Sequence, residues 1–257
     1  MSLKSDLISF ARGQGASLVG VAGIDRFTGA PRGHRPTDIL PEAKSVISMA
    51  VKLPSRLVDW EGLLAKSEVM PNDDVRWEVE SLHWYGRVGY EAMNIKLEQL
   101  GLALSLYLEE QGHIALSFPA TYAHNADIMQ KIPGYFAPFS HRHAAVLAGL
   151  GEFGFNNLLV TPQYGPRVRL MSVLTSAHLE ADPLLDTPVC LGEGCLACVQ
   201  ACGVPEQNLH AIAPAASRAD GVFLNMPSVV DKPACFTKYH GTARCWGKCI
   251  AACPVGS

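Results

Sequence analysis

Apolar and polar residues recur along the chain in a pattern that predicts a helix followed by two buried strands. Between residues 3 and 11 the apolar side chains have helical spacing, and the glycine-rich stretch 13–15 ends that helix. The short apolar runs 17–22 and 45–51 have the length and composition of buried strands. These three elements predict that a sheet begins near the N-terminus.

Helical composition dominates the next part of the chain, 72–111, where leucines form a stripe and Asn72 or Asp73 would be the N-cap. Three glycines within it predict two or three packed helices: Gly86, Gly89 and Gly101. Further along, the pattern predicts a strand at 113–118, a helix at 140–150 and a strand at 168–175. Alternating elements of this kind indicate a layered α/β arrangement.

The cysteines occupy one end of the chain. A sequence of 257 residues is long enough for one large core and a small appended module. All eight cysteines lie in the last third: Cys190, Cys195, Cys198, Cys202, Cys235, Cys245, Cys249 and Cys253. We therefore predict an α+β protein of two domains, 1–182 and 183–257.

The start of the chain and its charge bear on location and partners. The first residues, with an early acid at Asp6, resemble neither a signal peptide nor a twin-arginine leader. The apolar stretches fall short of the roughly 20 residues that a membrane helix needs. We therefore expect a cytoplasmic protein with no membrane partner, and cytoplasmic thiols bind metal more often than they form disulfides. A net charge of -3 with no block of Lys or Arg argues against nucleic acid.

Eight thiols divide into two sets of four, the number that two 4Fe-4S clusters need. In the bacterial ferredoxin run C-x2-C-x2-C-x3-C-P, the fourth cysteine binds the other cluster. The spacing Cys195-x2-Cys198-x3-Cys202 matches the last three positions of that run, and Cys253-Pro254 keeps the Cys-Pro ending. The crossed pattern predicts one ligand set of Cys190, Cys195, Cys198 and Cys253, and another of Cys202, Cys235, Cys245 and Cys249.

A pair of tetrathiolate zinc sites is the alternative, because four thiolates at short spacing also bind zinc. Zinc knuckles usually repeat separated C-x2-C pairs, whereas interlocked C-x2-C-x3-C with a later Cys-Pro is typical of cluster binding. The spacing therefore favours iron over zinc.

The glycine run 149–154, Gly-Leu-Gly-Glu-Phe-Gly, satisfies the G-x-G-x-x-G pattern of dinucleotide-binding proteins. That pattern must follow a strand and open a helix, whereas this run follows the predicted helix 140–150. The context therefore contradicts a Rossmann site, and the glycines can equally cap the helix.

The stretch from Arg142 through the glycine run to the strand at 170–175 resembles the superfamily of epoxyqueuosine reductases and reductive dehalogenases. Asp182-Pro183, the eight cysteines and the N-terminal helix-strand opening extend the likeness over nearly the whole chain. The resemblance implies a nitroreductase-like α/β domain that binds cobalamin, followed by a ferredoxin-like domain whose two 4Fe-4S clusters pass electrons to cobalt. FMN in place of the corrinoid is an alternative, because nitroreductase-like domains elsewhere bind flavin.

The resemblance also implies a corrinoid-binding segment. Small side chains and backbone N–H groups in and just after the glycine run would lie against the corrinoid: Gly149, Gly151, Gly154, Asn156, Asn157 and Leu158. A packing role for the same residues is the competing interpretation.

A proton donor can be carried over in the same way. Epoxyqueuosine reductases have an acid before an Ala-Pro pair, and the matching position in this chain is Tyr135. Reductive dehalogenases use a tyrosine there, which makes this chain more similar to them at that point. Arg142, His141 and His124 are the candidate cations or polarising groups beside the tyrosine. For each of these four residues, a structural role is the competing interpretation.

Two departures from the family narrow the predicted function. The chain ends soon after Cys253, without the helical-repeat segment that helps epoxyqueuosine reductases to hold tRNA, and it begins without the leader of respiratory dehalogenases. We expect a cobalamin-dependent reductase that removes oxygen, halogen or another leaving group from a small molecule. Its electron donor would be a ferredoxin or flavodoxin, and analogy with nitroreductase-like domains predicts a homodimer. The alternative is an electron carrier or corrinoid-reactivating partner without substrate chemistry.

Overall fold

The structure is a computed structural model that describes residues 2–64, 70, 72–121, 137–202, 210–211, 224, 226–230, 235 and 247–256. At its centre lies a four-stranded sheet composed of β1 (Leu18–Gly23), β2 (Ser45–Lys52), β3 (Ala115–Ser117) and β6 (Val168–Thr175). The strands follow the order β1-β2-β6-β3, and every neighbouring pair is antiparallel. The apolar pattern of the sequence predicted all four strands to within a few residues.

Short hairpins and helices complete the described structure. The hairpins are β4 (Glu152–Phe153) with β5 (Leu159–Val160), and β7 (His210–Ala211) with β8 (Val229–Val230). The helices are α1 (Leu3–Gly13), α2 (Pro36–Ile39), α3 (Ser55–Val58), α4 (Asp73–Glu80), α5 (Met93–Glu110), α6 (His141–Leu147), α7 (Ala197–Gln200) and α8 (Lys248–Ala251). None of the helices in the described parts of the chain is both long and apolar enough to cross a membrane.

Two apolar clusters hold the sheet between helical layers. Successive side chains of a strand point to opposite faces, so neighbouring residues of β2 enter different clusters. Ile47 lies in one cluster with Leu7 of α1 and Leu104 of α5, and Val46 lies in the other with Ala144 of α6. All five side chains are closed to solvent. The fold is therefore a mixed architecture with helices on both faces of an antiparallel sheet.

The segment 73–110 is helical throughout, with wide π-type turns at Ser81–Ala92 between α4 and α5. The predicted number of helical elements is therefore confirmed, but the elements follow one another without a connecting loop. Gly101 does not end a helix but lies inside α5, where a Cβ atom would overlap the Met171 side chain of the sheet. The predicted N-cap is confirmed, because the Asn72 side chain accepts a hydrogen bond from the Val75 N–H at 2.9 Å.

After β6 the chain returns along β1 before it reaches the first cysteine. The Asp182 carboxylate accepts a hydrogen bond from the Val21 N–H at 2.8 Å and pairs with Lys4 at 2.6 Å. The next residue, Pro183, packs so tightly on Gly149 that a Cβ atom there would overlap the proline carbonyl. The route to Cys190 is thus fixed by contacts with the sheet and with the end of α6.

Candidate metal centre

Helix α6 ends at the first glycine of the 149–154 run. Gly149 has a φ of +73°, and its N–H donates to the Val146 carbonyl while the Leu150 N–H donates to the Ala145 carbonyl. These two bonds form a Schellman motif, in which glycine is favoured because its φ is positive. The run then enters the β4–β5 hairpin rather than a helix. The structure therefore agrees with the capping interpretation and not with a dinucleotide fingerprint.

Four cysteines line one pocket next to this hairpin: Cys190, Cys195, Cys198 and Cys253. Gly154 and Val160 border the pocket from the hairpin side, and a Cβ atom at Gly154 would lie 3.7 Å from the Cys190 sulfur. These cysteines are the first ligand set of the crossed ferredoxin pattern. They surround the pocket rather than converge on a point, and no three His, Cys, Asp or Glu residues of the described structure are arranged to hold one metal ion.

The Cys190 end of the pocket is anchored by Glu152, which the sequence analysis missed. Its carboxylate oxygen Oε1 accepts hydrogen bonds from the backbone N–H groups of Val189 and Cys190, both at 2.5 Å. Hydrogen bonds to a charged acceptor are stronger than neutral ones. A single acid inside a buried glycine run was the signal in the sequence that could have identified it.

The Cys253 end is held by the loop before β6. Arg167 is only 3% exposed, and its two terminal nitrogens donate to the carbonyls of Ala251 and Val255, each at 3.0 Å. Gly165, with a φ of +53°, packs so tightly on the same tail that a Cβ atom would overlap the Val255 carbonyl. Backbone contacts and a forked side chain therefore fix the carbonyls on both sides of Cys253.

The pocket disfavours thiolates in the absence of a bound cation. Burial, followed by the neighbouring Cys190 and Cys253 thiolates, raises the pKa of the Cys198 thiol to about 11. Burial also raises the pKa of Cys253, and Cys190 and Cys195 add to that rise, whereas the Arg167 guanidinium opposes it. Burial is therefore the main reason why these two thiols resist ionisation, and the neighbouring cysteines add to it.

The second predicted ligand set is described only in part. Cys202 is buried just after α7, Cys249 lies in α8, and Cys235 is exposed. The two short helices pack against each other, while Cys245 lies outside the described residues. None of the seven cysteines that the structure describes forms a disulfide.

The glycines predicted to contact a corrinoid are packed on the protein's own backbone. Gly149 lies against the Pro183 carbonyl and Gly151 against the Val160 carbonyl, each so closely that a Cβ atom would overlap that oxygen. Gly154 borders the cysteine pocket instead. Glycine is expected beside a flat cofactor because it allows another group to approach the backbone closely. At these positions the closely approaching group is the chain's own backbone.

The residues after the glycines connect the sheet domain to the cysteine region. Asn157, which is 5% exposed and has a φ of +57°, donates from its amide to the Ser228 carbonyl at 3.2 Å. The neighbouring Asn156 amide donates to the Cys249 carbonyl at 3.5 Å and its oxygen accepts from the Leu158 N–H. Both asparagines thus have protein partners, and Leu158 is half-buried. The predicted role of this segment in binding a corrinoid therefore stays a prediction.

The candidate catalytic residues fall into two groups. Tyr135 and His124 lie outside the described residues. Arg142 donates to the backbone carbonyl and the side-chain oxygen of Asn157, and burial lowers its pKa while the nearby Cys235 acts in the opposite direction. An arginine nevertheless stays charged in a protein. Arg142 therefore holds the Asn157 turn near the second cysteine set.

His141 is a neutral hydrogen-bonding group. Burial lowers its pKa to about 4, with the Pro119 hydrogen bond opposing this shift and Arg169 adding to it. Because a carbonyl can only accept, Nε2 carries the proton and donates to Pro119 at 2.9 Å, while Nδ1 accepts from the Ser172 hydroxyl at 3.0 Å. At neutral pH this ring can polarise a neighbour but cannot supply a positive charge.

The chain is similar in sequence to a curated enzyme. Epoxyqueuosine reductase from Bacillus subtilis is 26% identical to it over 222 residues, which cover 78% of this chain and 50% of that protein. The chain thus spans about half the length of the curated relative it matches. No family model matches the chain.

Solved structures of two kinds of enzyme are similar in fold. Epoxyqueuosine reductase from Streptococcus thermophilus has a TM-score of 0.52 at 17% identity, covering 100% of this chain and 66% of that one. A catabolic reductive dehalogenase in complex with 3-bromo-4-hydroxybenzoic acid has a TM-score of 0.61 at 18% identity, covering 98% and 31%. These values show a similar fold.

A third structure bears on nucleic acid. An epoxyqueuosine reductase bound to an epoxyqueuosine-modified tRNA stem loop has a TM-score of 0.51 at 18% identity, covering 78% of this chain and 52% of that one. The expectation that this chain has no nucleic-acid partner therefore stays a prediction.

Proposed function

Because this chain belongs to the superfamily of epoxyqueuosine reductases and reductive dehalogenases, we propose that it is an iron-sulfur oxidoreductase with two 4Fe-4S clusters. The observation that carries the proposal is the pocket lined by Cys190, Cys195, Cys198 and Cys253. Cys253 joins the other three although it is distant from them in sequence, which is the crossed arrangement that two ferredoxin-type clusters require.

The electrostatics of the pocket support a bound metal group of net positive core charge. Burial and, after it, the neighbouring thiolates raise the pKa of Cys198 and of Cys253. Metal ligands must be deprotonated, so iron binding would release these protons and remove the repulsion. The four thiols that line this one pocket match the number of ligands that one cubane needs.

The second cluster is proposed for Cys202, Cys235, Cys245 and Cys249. The packing of α7 on α8 and the position of Cys202 next to the Cys198 helix support a second set beside the first. We further propose the division of the chain into a sheet domain, 1–182, and a ferredoxin-like cysteine domain, 183–257. A bound 4Fe-4S cluster supplies one-electron transfer, so two neighbouring clusters would connect an external donor to the sheet domain.

Cobalamin dependence and a small-molecule substrate are finer proposals that rest on the relatives alone. Gly149, Gly151 and Asn157 have contacts within the protein, so the corrinoid-binding role carried over to them from the family stays a prediction. We therefore derive no step through a corrinoid. Extraction of the anaerobically purified protein and mass analysis for corrinoid and FMN would decide which organic cofactor it holds.

Iron and acid-labile sulfide analysis tests the cluster proposal. The protein should be purified and reconstituted without oxygen, and we expect about eight irons and eight sulfides per chain, because each cubane has four of each. Zinc at about two ions per chain without sulfide would support the tetrathiolate alternative and contradict the proposal.

A second candidate function is an electron carrier or corrinoid-reactivating partner. It is favoured by the engagement of both described catalytic candidates in structural hydrogen bonds, Arg142 with Asn157 and His141 with Pro119 and Ser172. Replacing Tyr135 with Phe in the reconstituted protein would separate the two functions. An unchanged turnover of a halogenated or epoxide substrate would eliminate the tyrosine as proton donor, whereas no turnover by the wild type would favour the carrier.

A further inference from the structure

Arg167 is a buried charged residue at a position where the fold alone does not require a charge. It is a guanidinium with only 3% of its surface exposed, and among the described residues no carboxylate pairs with it. A buried charge without a partner is costly, so such groups are retained where an opposite charge compensates them. The segment that its guanidinium contacts carries Cys253, one of the four proposed ligands of the first cluster.

The guanidinium is fixed in place by two hydrogen bonds to the segment that carries Cys253. The acceptors are the carbonyls of Ala251 and Val255, each 3.0 Å from a different terminal nitrogen. The planar fork of an arginine suits such a two-point contact, which a lysine cannot reproduce. The contact therefore determines both the position of Cys253 and the position of the charge relative to its sulfur.

We propose that Arg167 is a positioning residue of the first cluster, which holds Cys253 in the ligand set and supplies a fixed positive charge that raises the cluster's reduction potential. The proposal rests on the proposed function, because it needs a cluster bound by Cys190, Cys195, Cys198 and Cys253. Reduction adds one electron to an already anionic assembly, so a neighbouring cation stabilises the reduced form more than the oxidised form. Net charge and hydrogen bonding near the sulfurs are the main protein controls of cluster potential.

The charge on the other side of the pocket is Glu152, whose carboxylate is bound to the Val189 and Cys190 N–H groups. It acts in the opposite direction, because a nearby anion disfavours the reduced form. The first cluster would therefore lie between a cation at its Cys253 end and an anion at its Cys190 end. Substitution of each residue should shift the potential with opposite sign.

The test is a redox titration of the reconstituted full chain, followed by EPR, for the wild type, Arg167→Gln and Arg167→Lys. Cys253→Ser, which removes a ligand of the first cluster, assigns the two EPR signals. In Arg167→Gln we expect the reduced-to-oxidised ratio of the first cluster to fall about tenfold at a fixed potential, or about 59 mV for one electron. The second cluster should keep its potential.

Two matched variants separate charge from position. Arg167→Lys keeps the charge but loses the fork, so its potential should stay near that of the wild type while a chelator removes iron about tenfold faster. Arg169→Gln makes the same change two residues further along the chain, inside β6. Arg169 donates to the Asn94 side-chain oxygen and lies over the Tyr90 ring, away from the pocket, so neither potential should change.

Each outcome decides the proposal. A first-cluster shift in Arg167→Gln but not in Arg169→Gln supports it, and equal shifts of both clusters, or none in a fully loaded variant, overturn it. If Arg167→Gln does not hold the first cluster, the rate at which a chelator removes iron from Arg167→Lys decides the outcome. A rate as slow as that of the wild type overturns the proposal. A wild type without iron and sulfide would overturn the proposed function itself, and this result is independent of Arg167.

Discussion

The part of the chain that forms the sheet and the described part that carries the cysteines differ in how many apolar side chains they bury. The sheet domain buries large apolar side chains on both faces, among them Leu97, Leu104 and Met171, each with no more than 1% of its surface exposed. In the described part of the chain after residue 179, the buried apolar side chains are Cys202 and Met226. Apolar burial is the dominant stabilising term of a folded domain, so the first region can fold on its own core. We therefore expect the second to depend more on a bound metal group and on contacts with the first.

Removal of one cluster ligand should affect the two regions very unequally. We expect Cys253→Ser to lose the first cluster and retain about four irons per chain, because the other cubane keeps its four thiolates. Cys190→Ser should lose the same EPR signal, whereas Cys202→Ser should lose the other. The thermal unfolding of the sheet domain should change little in all three variants. Iron analysis with circular dichroism checks this, and loss of both clusters from every variant would contradict the crossed ligand sets.

The junction between the regions should be most sensitive at Gly165. An alanine there has both an unfavourable positive φ and an overlap with the Val255 carbonyl. Gly33→Ala is the matched control, because Gly33 also has a positive φ, +88°, but no atom within 4 Å of the added Cβ. We expect Gly165→Ala to weaken the docking of the tail by about 3 kcal/mol or more, against about 1 kcal/mol for the control.

The rate at which a chelator removes iron from the first cluster measures this effect. Gly165→Ala should release that iron at least about tenfold faster than Gly33→Ala, since 1.4 kcal/mol corresponds to a factor of ten. Equal rates in the two variants would mean that the tail is not held at the junction.

Periodicity and spacing predicted different parts of the molecule with different success. The apolar pattern located β1, β2, β3 and β6, and β1, β2 and β6 bury side chains in the core of the sheet. Cysteine spacing predicted which four thiols would line one pocket, because the crossed ferredoxin pattern constrains ligand order.

The supporting residues could not be predicted in the same way. Glu152, Gly165 and Arg167 act through backbone atoms that are distant in sequence, and no local pattern specifies such partners. The contacts of Gly149 and Gly151 are also with backbone atoms that are distant in sequence, so the local pattern could not identify them. A glycine indicates close approach, but only the fold shows whether the approaching group is a cofactor or the protein's own carbonyl.

A mild acid effect should be confined to the sheet domain. The pKa of His141 is about 4 in the folded protein and 6.5 when the residue is unperturbed, so the unfolded chain binds a proton first as the pH falls. Stability from this residue is complete above pH 6.5 and is lost as the pH falls toward 4. Between pH 7 and pH 5 the full difference in pKa would lower the free energy of unfolding by about 2 kcal/mol. We expect a smaller fall than this, because the ring is partly accessible to solvent.

Urea unfolding at the two pH values, followed by circular dichroism, measures this loss. His141→Gln keeps a donor for Pro119 and an acceptor for Ser172 but cannot be protonated, so it should reduce the pH dependence. Identical pH dependence in the wild type and in His141→Gln would contradict the assignment of a neutral imidazole.

The smallest expected effect concerns Glu152, which joins the two regions through a charge rather than through packing. Glu152→Gln keeps an oxygen that can accept from the Val189 and Cys190 N–H groups but removes the negative charge. The reduced form of the first cluster should become more stable, and its reduced-to-oxidised ratio should rise about threefold at a fixed potential, because a partly accessible charge is screened by solvent. Raising the salt concentration should diminish the difference from the wild type. Redox titration with EPR detection measures the shift, and a fall in the ratio would mean that the lost anchor at Cys190, not the lost charge, controls this end of the pocket.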